Sequence, residues 1–220
     1  MAMSQYAIVD TLCHRYAHEV KDAITTPQPR RARNIARDAV RAHVTAVAID
    51  LFDSHGFENV TIEQIAEAAE ISRRSFHRYF SAKEDVVVGD SAPMGELVRT
   101  ALLQRSTEEP EWTALCESFI HMLADVGTDI ERGKRTVRIM AGIASLRARN
   151  LEKHLLWAEE LTPIIEQRLT GEHRRLRAQT IVHASLACLD VSLATWAHSS
   201  DSNLEDILRQ TFAAINSTPS

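Results

Sequence analysis

Between Thr61 and Asp85 the chain reads TIEQIAEAAEISRRSFHRYFSAKED, and two helix starts lie inside that stretch. Thr61 followed by Gln64 matches a capping box, in which hydroxyl and carboxamide satisfy each other's backbone amides. Ser72 is a good N-cap for a second helix. Only Glu70 and Ile71 remain for the turn between them. Ile62, Ile65, Ala66 and Ala69 form the inner side of the first helix, and Phe76 and Phe80 that of the second. Upstream, Val40, Val44, Val47, Ala48, Leu51 and Phe52 mark the buried face of a helix from about Ala36 to His55, which Gly56 is placed to end. Three short helices thus share one apolar centre. Ser81 is expected to cap a further helix that begins near Lys83.

Charge then separates this stretch from an ordinary helical hairpin. The chain as a whole is acidic, at −5 from 25 bases and 30 acids, so a nucleic-acid partner would have to meet a locally basic face. The second helix is such a face. With Phe76 and Phe80 turned inward, Arg73, Arg74, Ser75, His77, Arg78 and Tyr79 are left outside. A helix in the major groove needs this arrangement: arginines pair with guanine edges, while hydroxyl and imidazole groups reach bases or phosphates. Ser72 and Lys83 flank the face, and backbone amides near Lys83 form an anion-binding helix end. Ahead of the domain, TTPQPRRAR breaks any preceding helix. It leads into a basic arm with Arg30, Arg31, Arg33, Arg37 and Arg41, placed either to enter a minor groove or to stay a solvated tail.

The rest of the chain predicts longer helices, at roughly Pro93 to Arg105, Glu111 to Val126, Arg132 to Ala144, Asn150 to Leu169, Glu172 to His198 and Leu204 to Ile215. Pro163 is expected to kink the fourth of these. Glycine is scarce, at seven residues, and no alternating β pattern occurs, so the fold class is all-α. The helix from Glu172 carries Ile181, Val182, Leu186, Leu189, Val191, Leu193 and Trp196 around its whole circumference. Such a helix is covered on every side, either partly by its own domain and partly by a second copy of the chain or as the central helix of a monomeric domain.

Other functions find less support. There is no GxGxxG, phosphate loop, GxSxG or HExxH, so catalysis is not expected. Cys13, Cys116 and Cys188 form no CxxC pair and read as reduced packing residues. His14 and His18 have metal-ligand spacing but lack a third ligand, so neither metal nor cofactor is expected. No run of 18 apolar residues and no signal segment stand out, which predicts a cytoplasmic protein without a membrane partner.

AIDLFDSHGFENVTIEQIAEAAEIS and RRSFHRYFSAKEDV together resemble the DNA-binding domain of the tetracycline-repressor family of bacterial regulators. That resemblance covers Ala36 to Asp85 and implies DNA contacts by Thr61, Arg73, Arg74, Ser75, His77, Tyr79 and Lys83. Two positions depart from the family pattern: Glu70 stands where glycine is usual, and His77 where tyrosine is usual. A left-handed Glu70 would cost about 1–2 kcal/mol.

The resemblance further implies a domain plan. Residues 1–33 form an N-terminal extension and basic arm, 34–84 the helix-turn-helix domain, and 85–220 a larger domain that dimerises and binds a small effector. A homodimer on a palindromic operator, acting as a repressor, follows from it. Trp112, Cys116, Phe119, His121, Met122, Met140, His154 and Trp157 are the candidate walls of an effector pocket. LRARNLEKHLLWAEELTPIIEQRL and LACLDVSLATWAH also resemble the C-terminal domain of mycofactocin-type regulators, some of which respond to acyl-CoA. Arg132, Lys134, Arg135 and Arg138 could meet phosphates of such a ligand or form a solvated face. A chromosome-binding protein of the same fold without an effector, and a helical module whose basic helix binds acidic protein, are the competing classes.

Overall fold

The computed structural model describes residues 29–89, 91–124, 129–200 and 203–216, and every described element is helical. Cys13, His14 and His18 lie outside the described residues. Contacts divide the chain into two units, Met1–Val40 and Arg41–Ser220.

Helix α1 spans Pro29–His55 and so begins well before Ala36. Proline is well suited to a first helical position, where its missing N–H has no intrahelical partner to lose. The basic arm is therefore helical from Pro29 onward, not extended. Gly56, at φ 80°, ends α1 with its amide on the Phe52 carbonyl at 2.9 Å. A short 3₁₀ turn, Phe57–Asn59, folds the Phe57 ring to 4.9 Å from that of Phe52.

Helices α2 (Ile62–Ala68) and α3 (Arg73–Tyr79) follow, packed on each other. Val44, Ala48, Ile49, Phe52, Ile65, Ala66, Ala69, Phe76 and Phe80 close the shared centre, all of them buried. Helix α4 (Glu84–Val88) is short, and its start corrects one expectation. Ser81 does not cap it. Asp85 does instead, its Oδ2 accepting the Ala82 amide at 3.1 Å.

The remaining helices are α5 (Ser91–Gln104), α6 (Glu111–Ala124), α7 (Ile130–Gly142), α8 (Ala144–Arg168), α9 (Arg174–His198) and α10 (Leu204–Asn216). Helix α8 starts six residues before the expected Asn150 and carries Pro163 internally, on an exposed position. Helix α9 packs against α6, α7, α8 and α10. Among the described residues it is the one helix long and apolar enough to cross a membrane, and its packing is that of a core helix. Val182, Leu186 and Leu189 are buried, whereas Val191 and Leu176 are 55% and 63% exposed, so its own chain covers one side and not the other.

Two glycines let indole rings approach helix backbones closely. A Cβ on Gly95 would lie 2.8 Å from the Trp157 ring, and one on Gly133 would lie 2.9 Å from Trp196. Substitution at either position must displace a buried or half-buried ring.

Candidate nucleic-acid interface

Both predicted caps form. Thr61 Oγ1 accepts the Gln64 amide at 3.2 Å while Gln64 Oε1 accepts the Thr61 amide at 2.8 Å. Ser72 Oγ accepts the Ser75 amide at 3.0 Å and donates to Ser75 Oγ at the same distance. The two helices meet at Glu70, which adopts φ 54°. The turn thus keeps the left-handed geometry without glycine, and the Ile71 amide bonds back to the Ala66 carbonyl at 2.9 Å.

Helix α3 presents its polar residues over the buried Phe76. Arg73, Arg74, His77 and Arg78 are exposed, and Ser75 and Tyr79 are half-buried. They differ in how they are held. Arg73 is paired with Glu63 of α2 at 2.9 Å. Arg78 stacks on the Tyr79 ring and donates to its hydroxyl at 2.8 Å. The His77 and Phe76 rings stand nearly perpendicular, 5.7 Å apart. Arg74 has no hydrogen-bond or ion-pair partner among the described residues. A cationic helix face with one free guanidinium and several pre-oriented groups can bind phosphates and base edges with little reordering.

Two predicted cations act inside the fold. Lys83 Nζ donates to the carbonyls of Phe57 at 2.7 Å and Val60 at 3.0 Å, and lies 4.2 Å from the Phe57 ring. It therefore clamps the turn after α1 to the start of α4. Arg41 donates to the Tyr79 carbonyl and stacks over Phe80 at 4.6 Å, so it fixes the end of α3. Arg37 is exposed on α1, while the side chain of Arg33 lies outside the described residues.

Each cation of the basic run of α7 has a partner within the fold. Lys134 is buried and donates to the Ser199 carbonyl at 2.7 Å, and Arg138 donates to the Ala197 carbonyl at 2.7 Å. These cations satisfy carbonyls left open at the C-terminus of α9, where the helix dipole favours positive charge. Arg135 reaches Asp50 and Asp53 of α1 at 3.2 and 3.5 Å, and Arg132 pairs with Asp129 at 3.2 Å.

Of the candidate pocket walls, Cys116, Phe119, Met122 and Trp157 share one buried cluster, with Trp112 packed against it. Trp112 Nε1 donates to the Phe212 carbonyl at 2.8 Å. Burial, followed by the nearby Glu117 charge, pushes the Cys116 thiol up to about 11, and Cys188 is likewise buried and free. Both are packing residues, as expected. His121 is exposed on the other side of α6, and Met140 is half-buried on α7. His154 is buried beside Trp157, its Nδ1 3.3 Å from Asp190 Oδ2. Asn150 Nδ2 donates to the other oxygen of Asp190 at 3.2 Å. Next to this group sits Lys153, only 9% exposed, which the sequence reading passed over. The signal was present: Leu146, Asn150, Lys153, Trp157, Leu161 and Ile165 follow helical spacing, and two polar residues interrupt that stripe.

A reader made of two capped short helices on a three-helix core, joined to a larger helical domain, defines a helix-turn-helix regulator, and the comparisons agree. Residues 44–88 match the family described as bacterial regulatory proteins, tetR family, and residues 109–218 match the MftR C-terminal domain. The chain belongs to the tetR family of bacterial transcriptional regulators. MftR of Mycobacterium tuberculosis, a transcriptional regulator assigned to mycofactocin biosynthesis, is 23% identical over 81% of this chain and 90% of its own length. TcmR of Streptomyces glaucescens, an HTH-type transcriptional regulator, is 34% identical over 44% of this chain and 42% of its own. The fold is shared with Thermus thermophilus FadR, solved with lauroyl-CoA, at TM-score 0.50 and 23% identity over 82% of this chain and 98% of that one. Bacillus subtilis FadR, solved with stearoyl-CoA, aligns at TM-score 0.52 and 16% identity over 79% and 96%. These families are regulators, not enzymes.

Proposed function

We propose that this regulator is a cytoplasmic, nucleoid-bound repressor that binds a palindromic operator as a homodimer and is released by a small lipophilic effector such as an acyl-CoA. The observation that carries the reading is α3, with Arg73, Arg74, His77 and Arg78 exposed on a helix anchored by Phe76 and Phe80. Its N-terminal residues, with Thr61 and Ser75, contact bases and phosphates of one major groove, and a second copy occupies the next. Arg33 and Arg37, on a helix rather than a loose arm, contact the flanking backbone. Lys83 serves the interface by holding the turn after α1 against the start of α4 and by the one ammonium proton its two carbonyls leave over.

The uncovered side of α9, with α10 beside it, supplies the dimer contact. The larger domain, with Trp112, Cys116, Phe119, Met122, His154 and Trp157 around its centre, receives the effector, and the acyl-CoA complexes of the two FadR proteins favour that ligand class. A rigid dimer fits a palindrome at one spacing, so an effector that shifts the two readers apart costs several contacts at once. The test is selection of genomic fragments by the purified protein beside its Arg73→Ala, Arg74→Ala double variant. A few palindromes, lost in the variant, are expected; unselective recovery would overturn the operator reading, and no recovery would sink DNA binding altogether.

A further inference from the structure

The centre of α8 holds a donor and an acceptor that the protein itself does not satisfy. Lys153 is 9% exposed, and its ammonium has the Trp157 ring at 5.2 Å but no hydrogen bond among the described residues. Asn150, one turn earlier on the same face, keeps a buried Oδ1 without a partner. Asp190 feels the lysine charge, yet its two oxygens are already engaged by Asn150 and His154. An unpaired ammonium in such a place destabilises the chain that carries it. Burial lowers its pKa to about 8, the Asp190 charge opposing the shift only in part.

We infer that Lys153 and Asn150 form the polar end of the effector site, receiving a carbonyl-type acceptor, a carboxylate or thioester, at the head of an otherwise apolar ligand. This rests on the larger domain being a small-molecule receptor. The ammonium donates to the ligand's oxygen, and Asn150 Oδ1 takes any hydroxyl or amide proton beside it. Trp157, in close contact with Gly95, forms the apolar wall next to the head group. The single ammonium of Lys153 matches one acceptor group at the ligand's head.

The experiment compares the full-length wild type with Lys153→Met, reading apo melting temperature at pH 7 and binding of dodecanoate and lauroyl-CoA by calorimetry. The variant is expected to melt higher than wild type, because a buried unpaired charge is gone. It should also bind whichever probe the wild type binds about tenfold or more weakly, the loss of one charge-assisted hydrogen bond. A lower melting temperature would mean that the lysine is structural and would overturn the inference. Unchanged binding of a probe that the wild type does bind would overturn it while leaving the receptor reading intact. Binding of neither probe by the wild type would overturn both.

Discussion

Arg149 Nε on α8 donates to Asp85 Oδ1 on α4 at 2.9 Å, while Oδ2 of the same carboxylate caps the Ala82 amide at 3.1 Å. One side chain therefore starts the helix behind the reader and holds the long helix of the larger domain. Asp85 is the more buried partner, at 14% side-chain exposure against 45% for Arg149. Removing the arginine leaves the cap in place; removing the carboxylate loses both. Arg149→Gln should cost about 0.5 kcal/mol, since half-exposed ion pairs are screened, and Asp85→Ala about 1–2 kcal/mol with the added loss of a cap. Urea unfolding of the two variants checks this, and equal losses would mean that the cap contributes nothing.

Glu70 at φ 54° is a strained position in an exposed turn. Replacing it with glycine removes a left-handed penalty of about 1–2 kcal/mol but adds unfolded-chain entropy of about 0.5–1 kcal/mol. A net gain of about 0.5–1 kcal/mol in Glu70→Gly is expected by denaturant unfolding. A loss would show that the glutamate side chain has a compensating role.

Arg74 is the unpaired cation of α3, whereas Arg73 is already neutralised by Glu63. Arg74→Ala should therefore weaken operator binding by about tenfold. If its partner is a phosphate, the slope of log K against log salt should fall by about 1 per subunit. Arg73→Ala should change the slope less. Fluorescence anisotropy across a salt series distinguishes the two.

Lys153 makes stability depend on alkaline pH in a defined sense. Its folded pKa of about 8 lies below its ordinary 10.5. Between those values the unfolded chain binds more protons than the folded one, so this group's contribution rises with pH across that window. The penalty is fully present below about pH 8 and relieved above about 10.5, on the order of 3 kcal/mol in all. The raised Cys116 thiol works in the opposite direction, from its ordinary 9.0 to about 11. Subtracting the profile of Lys153→Met cancels the cysteine, and the wild type should gain on the variant between pH 8 and 10.5. A flat difference would mean that Lys153 is well solvated.

Which parts could be read from the residue string follows from the range of the forces. Thr61 with Gln64, and Ser72 with Ser75, bond within one helical turn, so the chain alone specifies them, as it does the inward spacing of Phe76 and Phe80. The apolar residues spread all round α9 announced its central place in the same way, because periodicity is a property of neighbours in sequence. The use made of each cation was settled only by the tertiary structure. Lys134 and Arg138 find their carbonyl partners 65 and 59 residues away, and Lys83 turns inward to carbonyls 26 and 23 residues back. Nothing in a basic residue's local context distinguishes one that faces solvent or a phosphate from one that caps a distant helix. Lys153 shows the same dependence: its place on the apolar stripe was visible in the sequence, but its isolation depends on Asp190, on another helix, being already engaged.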